Sequence, residues 1–479
     1  MTMHSPLADS GKMLDLVVVG AGPAGMAAAA RAAGAGLSVT VLDEGRAPGG
    51  QIWRGVSDAP AARAELLGPD YVAGGKVAAA FSQSGATYLR EASVWSLFRA
   101  PGHFEVSVSV AGGSRVLLAR HVLLATGAME RPFPIPGWTL PGVMTAGAAQ
   151  IAMKSSGLVP AGRTALVGCG PLLYLLGMQL VNAGAPPVAM IDTSASGAMV
   201  RALRHLPGFL ASPLLPRGLS LMVRLRRRVP IWRAGPELRI QGDSQATAVS
   251  WHGGQVAVDH VLLHQGVLPS LNLTIAAGCQ IHWDARQRCF VPRLDDRGQS
   301  SVRGLYIAGD GGGIAGASAA GFAGQLAVEG ILQDLGLGDA RRLAAAQRCL
   351  KVARRGRAFL DVAFAPQHVL PADDETIVCR CEAITAADVR AAARLGVPGP
   401  NQLKTFLRCG MGPCQGRQCG LTVTELLAAE QRRSAGDVGY LRTRFPVKPL
   451  RLAELAGLPA DRAAHVAVTG HPPKEGPQR

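Results

Sequence analysis

Aromatic residues are scarce, at 5% of 479 positions, so alanine, leucine and valine must fill most of the core. No run of eighteen uncharged apolar residues occurs, which argues against a spanning helix. Acids are outnumbered by 33 to 49, giving a formal charge of +16. Much of that excess is local: Arg201 to Arg233 holds eight arginines and no acid. A solvated basic face is the default reading, with contact to an acidic partner subunit or peripheral contact with an anionic membrane as alternatives. Nucleic acid is not an expected partner, because no nucleic-acid-binding module accompanies the charge. None of the 11 histidines falls in a catalytic motif, so no catalytic base is assigned. No repeat of solenoid length is present. The polar stretch Met1 to Lys12 precedes an apolar run, Leu14–Val19, that ends in a glycine motif. That run reads as a first strand rather than a secretion signal, and a cytoplasmic location is expected.

What the chain has in quantity is glycine, 60 residues, and enough length for two or three cores. Leu14–Val19, an alanine-rich helix over Ala24 to Ala35 and a second strand, Leu37–Asp43, give a βαβ start. Alternation in His103–Val110 and Val116–Leu124 predicts a hairpin-rich stretch. Arg163–Val167 and Pro187–Asp192 open a second strand-turn-helix unit. Gln255–His264 and Gly304–Ala308 are later strands, Ala319–Asp334 a helix, and Arg341 to Arg357 a helical linker. The tail from about Leu458 reads as mobile and polar. The implied division is a split nucleotide domain over 13–150 and 255–338 and an inserted domain over 151–254. A linker over 339–372, a cysteine-bearing domain over 373–435 and a C-terminal extension over 436–479 follow.

The first glycine turn is Gly20–Ala–Gly22–Pro23–Ala24–Gly25. Gly20 allows the tight turn, Gly22 lets a pyrophosphate approach the backbone, and Gly25 lets helix pack on strand. The helix N-terminus then offers free N–H groups to phosphates. Asp43 ends the second strand where an acid should hold a ribose hydroxyl, with Glu44 the neighbouring candidate. Val122–Leu–Leu–Ala125–Thr126–Gly127 and Leu305–Tyr–Ile–Ala308–Gly309–Asp310 resemble the second and third flavin motifs of the two-dinucleotide-binding-domain flavoproteins, the glutathione- and thioredoxin-reductase-like superfamily. Pro48–Gly49–Gly50–Gln51 matches that superfamily's segment beside the isoalloxazine ring. The resemblance implies FAD, with Asp310 on its ribityl chain or pyrophosphate and the helix near Ala317 pointing at the electron-accepting end of the ring.

A second glycine turn, Gly168–Cys169–Gly170–Pro171–Leu172–Leu173, stands where the superfamily binds NAD(P)H. Leu173 occupies the third glycine position, and its bulk should push helix from strand. Nicotinamide binding is therefore not expected, although Asp192 could serve a ribose; a degenerate domain or another nucleotide is favoured. Disulfide reduction is excluded, because Cys169, Cys279 and Cys289 form no close pair in the front half.

Five cysteines fall in one window: Cys379–Arg–Cys381, then Cys409–Gly–Met–Gly–Pro–Cys414–Gln–Gly–Arg–Gln–Cys419. Thr385 and Asp388 form a capping-box pattern between them and Gly396 stops the helix. Cys-x-Cys is uncommon in structural zinc sites, and four thiolates hold a two-iron cluster. The segment from Thr376 to Glu430 resembles the bacterioferritin-associated-ferredoxin-like [2Fe–2S] domain. Cys379, Cys381, Cys414 and Cys419 are the expected ligands, the last two because the loop there turns into a helix near Leu421. Cys409 is the runner-up.

Three longer stretches extend the resemblance over nearly the whole chain. They are Arg131–Pro–Phe–Pro–Ile–Pro–Gly137–Trp, Leu403–Lys–Thr–Phe–Leu–Arg–Cys–Gly–Met–Gly–Pro–Cys–Gln–Gly–Arg, and Arg444–Phe–Pro–Val–Lys–Pro–Leu. With the flavin motifs they resemble the FAD- and [2Fe–2S]-containing α subunits of heteromeric amine dehydrogenases: opine oxidases, D-hydroxyproline dehydrogenase and hydrogen cyanide synthase. The resemblance implies that the partner is a D-amino-acid-oxidase-like flavoprotein β subunit. It also implies room for a small third subunit, with an FMN between subunits as an option. It makes this chain an electron conduit, since a flavin takes two electrons and a [2Fe–2S] cluster carries one. The rival reading is a self-contained NAD(P)H-dependent flavin oxidoreductase using the Gly168 turn. The expected class is α/β: a Rossmann-like, glutathione-reductase-like flavoprotein with a small C-terminal helical [2Fe–2S] domain.

Overall fold

The computed structural model describes residues 12–234, 237–367 and 370–458; most of the expected mobile tail lies outside them. Among the described residues no helix is long and apolar enough to cross a membrane.

The first sheet has seven strands. Thr87–Leu89, Val39–Leu42, Met13–Val19, Gly113–Leu124, His103–Val110 and Ser93–Ala100 lie side by side in that order, and Leu305–Ile307 joins Gly113–Leu124. Strand Gly113–Leu124 does two jobs. Its first half continues the antiparallel meander, while its buried end pairs in parallel with both Met13–Val19 and Leu305–Ile307. In register, Val19 faces Leu42 and Leu124, and Leu124 faces Ile307. The segments that follow, at Gly20, Asp43, Ala125 and Ala308, therefore leave the sheet at one level. The crevice beyond the carboxyl ends of parallel strands is where such sheets bind ligands.

The second sheet is wholly parallel, in the order Ile231–Arg233, Ala189–Asp192, Thr164–Gly168, His260–His264, Val143–Thr145. This corrects the divisions drawn at residues 150 and 255. Strand Val143–Thr145 and helix Ala146–Ser156 open the second domain, and His260–His264 belongs to it. The strand expected over Gln255–His264 is two strands. Gly254–Ala257 finishes an antiparallel hairpin sheet with Ala248–Trp251, and Asp259 breaks the run by accepting hydrogen bonds from Arg163.

Helix Ala317–Asp334 packs across helix Pro23–Ala33, where Gly324 allows the approach: a Cβ there would stand 2.1 Å from the Ala24 carbonyl oxygen. The linker forms two helices, Ala340–Ala353 and Arg357–Ala363, broken at Gly356. Phe359 of the second stacks on Phe209 at 4.1 Å, fixing the linker to the basic segment. All eight of that segment's arginines are exposed.

The cysteine-bearing domain has its own core, in which Val389, Leu403, Val423 and Leu427 are buried. The capping box forms: Thr385 Oγ1 accepts from the Asp388 N–H, and the Asp388 carboxylate accepts from the Thr385 N–H. Gly396 follows the end of that helix in the left-handed region.

Candidate functional site

The strand ends open into a cavity of about 1120 Å³. Gly20, Gly22, Pro23, Ala24, Asp43, Glu44, Gly50, Gln51, Ala125, Thr126, Gly127, Gly309 and Asp310 all line it. Gly25 does not, and its role is packing: a Cβ there would stand 1.8 Å from the Gly20 carbonyl oxygen. Gly20 itself has φ +106°, and a Cβ on it would strike the Ala125 carbonyl oxygen at 2.4 Å.

The two acids expected to meet the ligand also hold the cavity walls. Asp43 accepts from the N–H groups of Ala21 and Gly45, at 2.5 and 2.6 Å, fastening the glycine turn to the second strand. Asp310 Oδ1 accepts from the N–H groups of Ala315 and Gly316, at 2.8 and 3.0 Å, and so shapes the entry to helix Ala317–Asp334. Gly316, Ala317 and Ala320 bring that helix's N-terminus to the cavity. Glu44 is exposed, accepts from the Ser93 hydroxyl at 3.1 Å and pairs with Lys448. Val447, Lys448 and Pro449, from one of the three singled-out stretches, thereby close one end of the cavity.

The second glycine turn borders the same space through Cys169, Gly170, Pro171 and Leu172. Leu173 is fully buried with Leu166 and Leu262, and the close approach of the helix falls one turn later. There a Cβ on Gly177 would stand 3.0 Å from Leu225 and 3.1 Å from Leu166. Asp192 is engaged by the Tyr174 hydroxyl, which donates to it at 3.3 Å. The Cys169 thiol donates to the Phe364 carbonyl oxygen at 3.5 Å, so the linker lies against this turn. Cys169, Cys279 and Cys289 are buried free thiols.

Three cavity residues belong to no site motif in the sequence. The buried His264, 3% exposed, meets Glu130 Oε1 through Nδ1 at 2.6 Å. Its register position, opposite Gly168 at the carboxyl end of a parallel strand, is the signal that could have found it. Arg131, 3% exposed, donates through Nη2 to the carbonyl oxygens of Gln287 and Arg288 at 2.8 and 2.9 Å. Lys154 lies buried in helix Ala146–Ser156. Arg131 opens one of the three stretches that carry the family resemblance; Lys154 has no sequence signal beyond Gln150 one helical turn before it.

The five cysteines gather in two groups. The Cys379 sulfur accepts from the thiols of Cys409 and Cys419 and from the N–H groups of Glu382 and Gly410, which holds its thiol far below the usual range. The Cys381 thiol faces Cys414, whose N–H donates to it; burial pushes its pKa up. Gly412 crosses so close that a Cβ would meet the Cys381 Cβ at 2.3 Å. Cys379, Cys409 and Cys419 are buried, Cys414 partly, and Cys381 is exposed. Helix Gly420–Glu430 leaves the loop directly after Cys419. Its Glu425, 6% exposed, accepts from Arg288 at 3.2 Å.

This loop touches the flavoprotein half. The Asn272 side chain donates to the Gln415 carbonyl oxygen at 3.0 Å, and Arg417 lines the large cavity.

Comparison with known proteins agrees with this architecture. Residues 14–324 match the family model of pyridine nucleotide-disulphide oxidoreductases, and residues 374–458 match the sarcosine oxidase A3 domain. One of the opine oxidase A subunits, that of Agrobacterium tumefaciens (strain Ach5), is 49% identical over 97% of this chain and 96% of its own length. The HcnB protein of hydrogen cyanide synthase from Pseudomonas aeruginosa is 31% identical over 92% of this chain and 98% of its own. The crystal structure of L-proline dehydrogenase from P. horikoshii shares the fold, with a TM-score of 0.71 at 18% identity over 93% of this chain and 79% of that one. An α/β flavoprotein oxidoreductase by fold and by kinship, the chain belongs to the family of opine oxidase A subunits and their hydrogen cyanide synthase relatives.

Proposed function

We propose that this chain is the FAD- and [2Fe–2S]-bearing subunit of a heteromeric amine dehydrogenase. It takes electrons released when a D-amino-acid-oxidase-like partner flavoprotein oxidises an amine. It then passes them to a one-electron or quinone-linked acceptor. Opines, D-hydroxyproline, proline and glycine are the candidate amines, and the names of the relatives support a carbon–nitrogen donor. Such an assembly accommodates an FMN at the subunit interface, a small third subunit, and peripheral membrane contact through the exposed arginines.

The observation that carries this reading is the meeting of the cysteine loop with the large cavity, through Asn272, Gln415 and Arg417. The residues suit both groups. A cavity of about 1120 Å³, walled by a glycine turn and two helix N-termini, suits an extended dinucleotide. A two-iron cluster spreads its four thiolates over two irons, and thiols grouped as Cys381 with Cys414, and Cys379 with Cys419 or Cys409, suit that demand. FAD supplies two-electron storage and the cluster a one-electron relay.

The chain's own residues then have separable tasks. Gly20, Gly22 and the N-terminus of helix Pro23–Ala33 hold a pyrophosphate, with Asp43 or Glu44 beside a ribose. Gly50 and Gln51 flank the ring, and the N-terminus of helix Ala317–Asp334 favours negative charge on it. The N–H groups of Glu382, Gly410 and Cys414 stabilise charge on the cluster sulfurs. Tyr174, which occupies Asp192, speaks against nicotinamide at the second turn.

The test is an anaerobic mixing experiment with the purified chain. NADH should leave the flavin oxidised, whereas amine plus the partner subunit should bleach it. Rapid bleaching by NADH alone would instead establish the self-contained oxidoreductase.

A further inference from the structure

Among the described residues, one buried cation on the cavity wall has no acid paired with it. Lys154, 4% exposed, lies near the end of helix Ala146–Ser156. Its ammonium donates to Gln150 Oε1 at 2.8 Å and to the Gln51 carbonyl oxygen at 3.1 Å. Gln150 donates to Gln179 Oε1 at 2.9 Å, and Gln179 donates to the Leu67 carbonyl oxygen at 3.1 Å. Neutral groups thus lock the side chain in place, and one of the three donors of the ammonium remains uncommitted. The charged group acting on Lys154 is Arg54, a second cation; burial, with that repulsion, pushes the ammonium down to about 8, which still leaves it charged at neutral pH. A buried charge held only by neutral dipoles is costly, and a negative charge arriving beside it offsets that cost.

Lys154, Gln150 and Gln51 line the cavity together. Lys154 therefore reaches from the second domain's helix to the segment expected beside the flavin ring. We propose that Lys154 is the counter-charge for electrons stored in this cavity, and that it sets the potential at which the flavin releases them. The proposal deepens the flavin reading of the cavity and rests on it. Uptake of two electrons and one proton leaves the ring with one net negative charge. The electrons would come from oxidation of an amine to an imine on the partner subunit, which releases two electrons and two protons. One proton goes to solvent there; the other accompanies the electrons to this ring and returns to solvent as they depart singly to the cluster. A fixed, buried ammonium stabilises that charge without reorganising.

The test uses the full-length, flavin-bearing chain as wild type, Lys154→Met, Lys154→Arg and Gln150→Glu. The flavin midpoint potential is measured by anaerobic spectroelectrochemistry. Sulfite, whose addition puts negative charge on a flavin ring, is titrated as an independent probe. Lys154→Met is expected to shift the reduction equilibrium at least tenfold against the reduced form, about 30 mV for a two-electron couple. Sulfite binding should weaken at least tenfold as well. Lys154→Arg should keep most of the wild-type potential. Gln150→Glu, which sets a carboxylate against the ammonium, should lower the potential without removing the lysine, and it decides the matter if Lys154→Met loses its flavin. Wild-type potential and sulfite affinity in flavin-bearing Gln150→Glu, or in flavin-bearing Lys154→Met, would overturn the proposal. A wild-type chain that binds no flavin would overturn the underlying flavin reading, and the proposal with it.

Discussion

With Cys381 and Cys414 both changed to serine, iron in the purified chain is expected to fall to background while the flavin stays at its wild-type level. The two thiols face one another across the Gly412 crossing, so one iron would lose both of its protein ligands. Removal of a supporting outer-sphere partner already costs metal sites about 10–100-fold. Loss of two direct ligands should therefore lower acceptor reduction by the assembled complex at least about a hundredfold. Reduction of the partner's flavin by amine should persist, because that chemistry lies upstream. The single variants should separate Cys419 from Cys409, both of which face Cys379: Cys419→Ser is expected to lose iron and Cys409→Ser to keep it. Iron analysis, with acceptor-reduction assays on the complex, reads out both sets, and unchanged iron in the double variant would contradict the cluster assignment.

A second large effect is expected at Glu425. This carboxylate stands on helix Gly420–Glu430 just after Cys419, is held by Arg288, and lies within the electrostatic reach of the buried Arg131. Burial raises its pKa, and the two arginines oppose that shift. Glu425→Ala would remove the hydrogen-bonding partner of the part-exposed Arg288 and the acid that offsets the buried Arg131, and losing that charge-assisted hydrogen bond should cost about 1–3 kcal/mol. Glu425→Gln retains a hydrogen-bonding partner for Arg288 and should cost less. Urea unfolding of the full chain, followed by flavin and iron release, measures both variants. A midpoint for Glu425→Ala indistinguishable from wild type would show that the two halves do not depend on this charge cluster.

Much of the fold was legible because parallel sheets write their function at strand ends. Val19, Leu124 and Ile307 align in register, so three motifs far apart in sequence had to meet at one edge. The capping box at Thr385 was equally readable, since it involves only local backbone. The domain divisions were not. His260–His264 and Val143–Thr145 are short apolar runs whose sheet is decided by pairing over more than a hundred residues. Leu173 is a misfit in the glycine pattern, yet Gly177 supplies the close approach one turn later. His264, Lys154 and Arg131 illustrate the larger gap. Each is a polar residue in apolar or alanine-rich sequence, and only the tertiary fold turns it toward the cavity.

The chain's proposed task is to join a two-electron carrier to a one-electron carrier. The most direct test is an anaerobic dithionite titration of the purified chain alone, followed by visible absorption and EPR together. About three electrons should be taken up per chain: two that bleach a flavin and one that brings up a two-iron signal. Uptake of two electrons with no paramagnetic iron, or of one with no flavin, would contradict it.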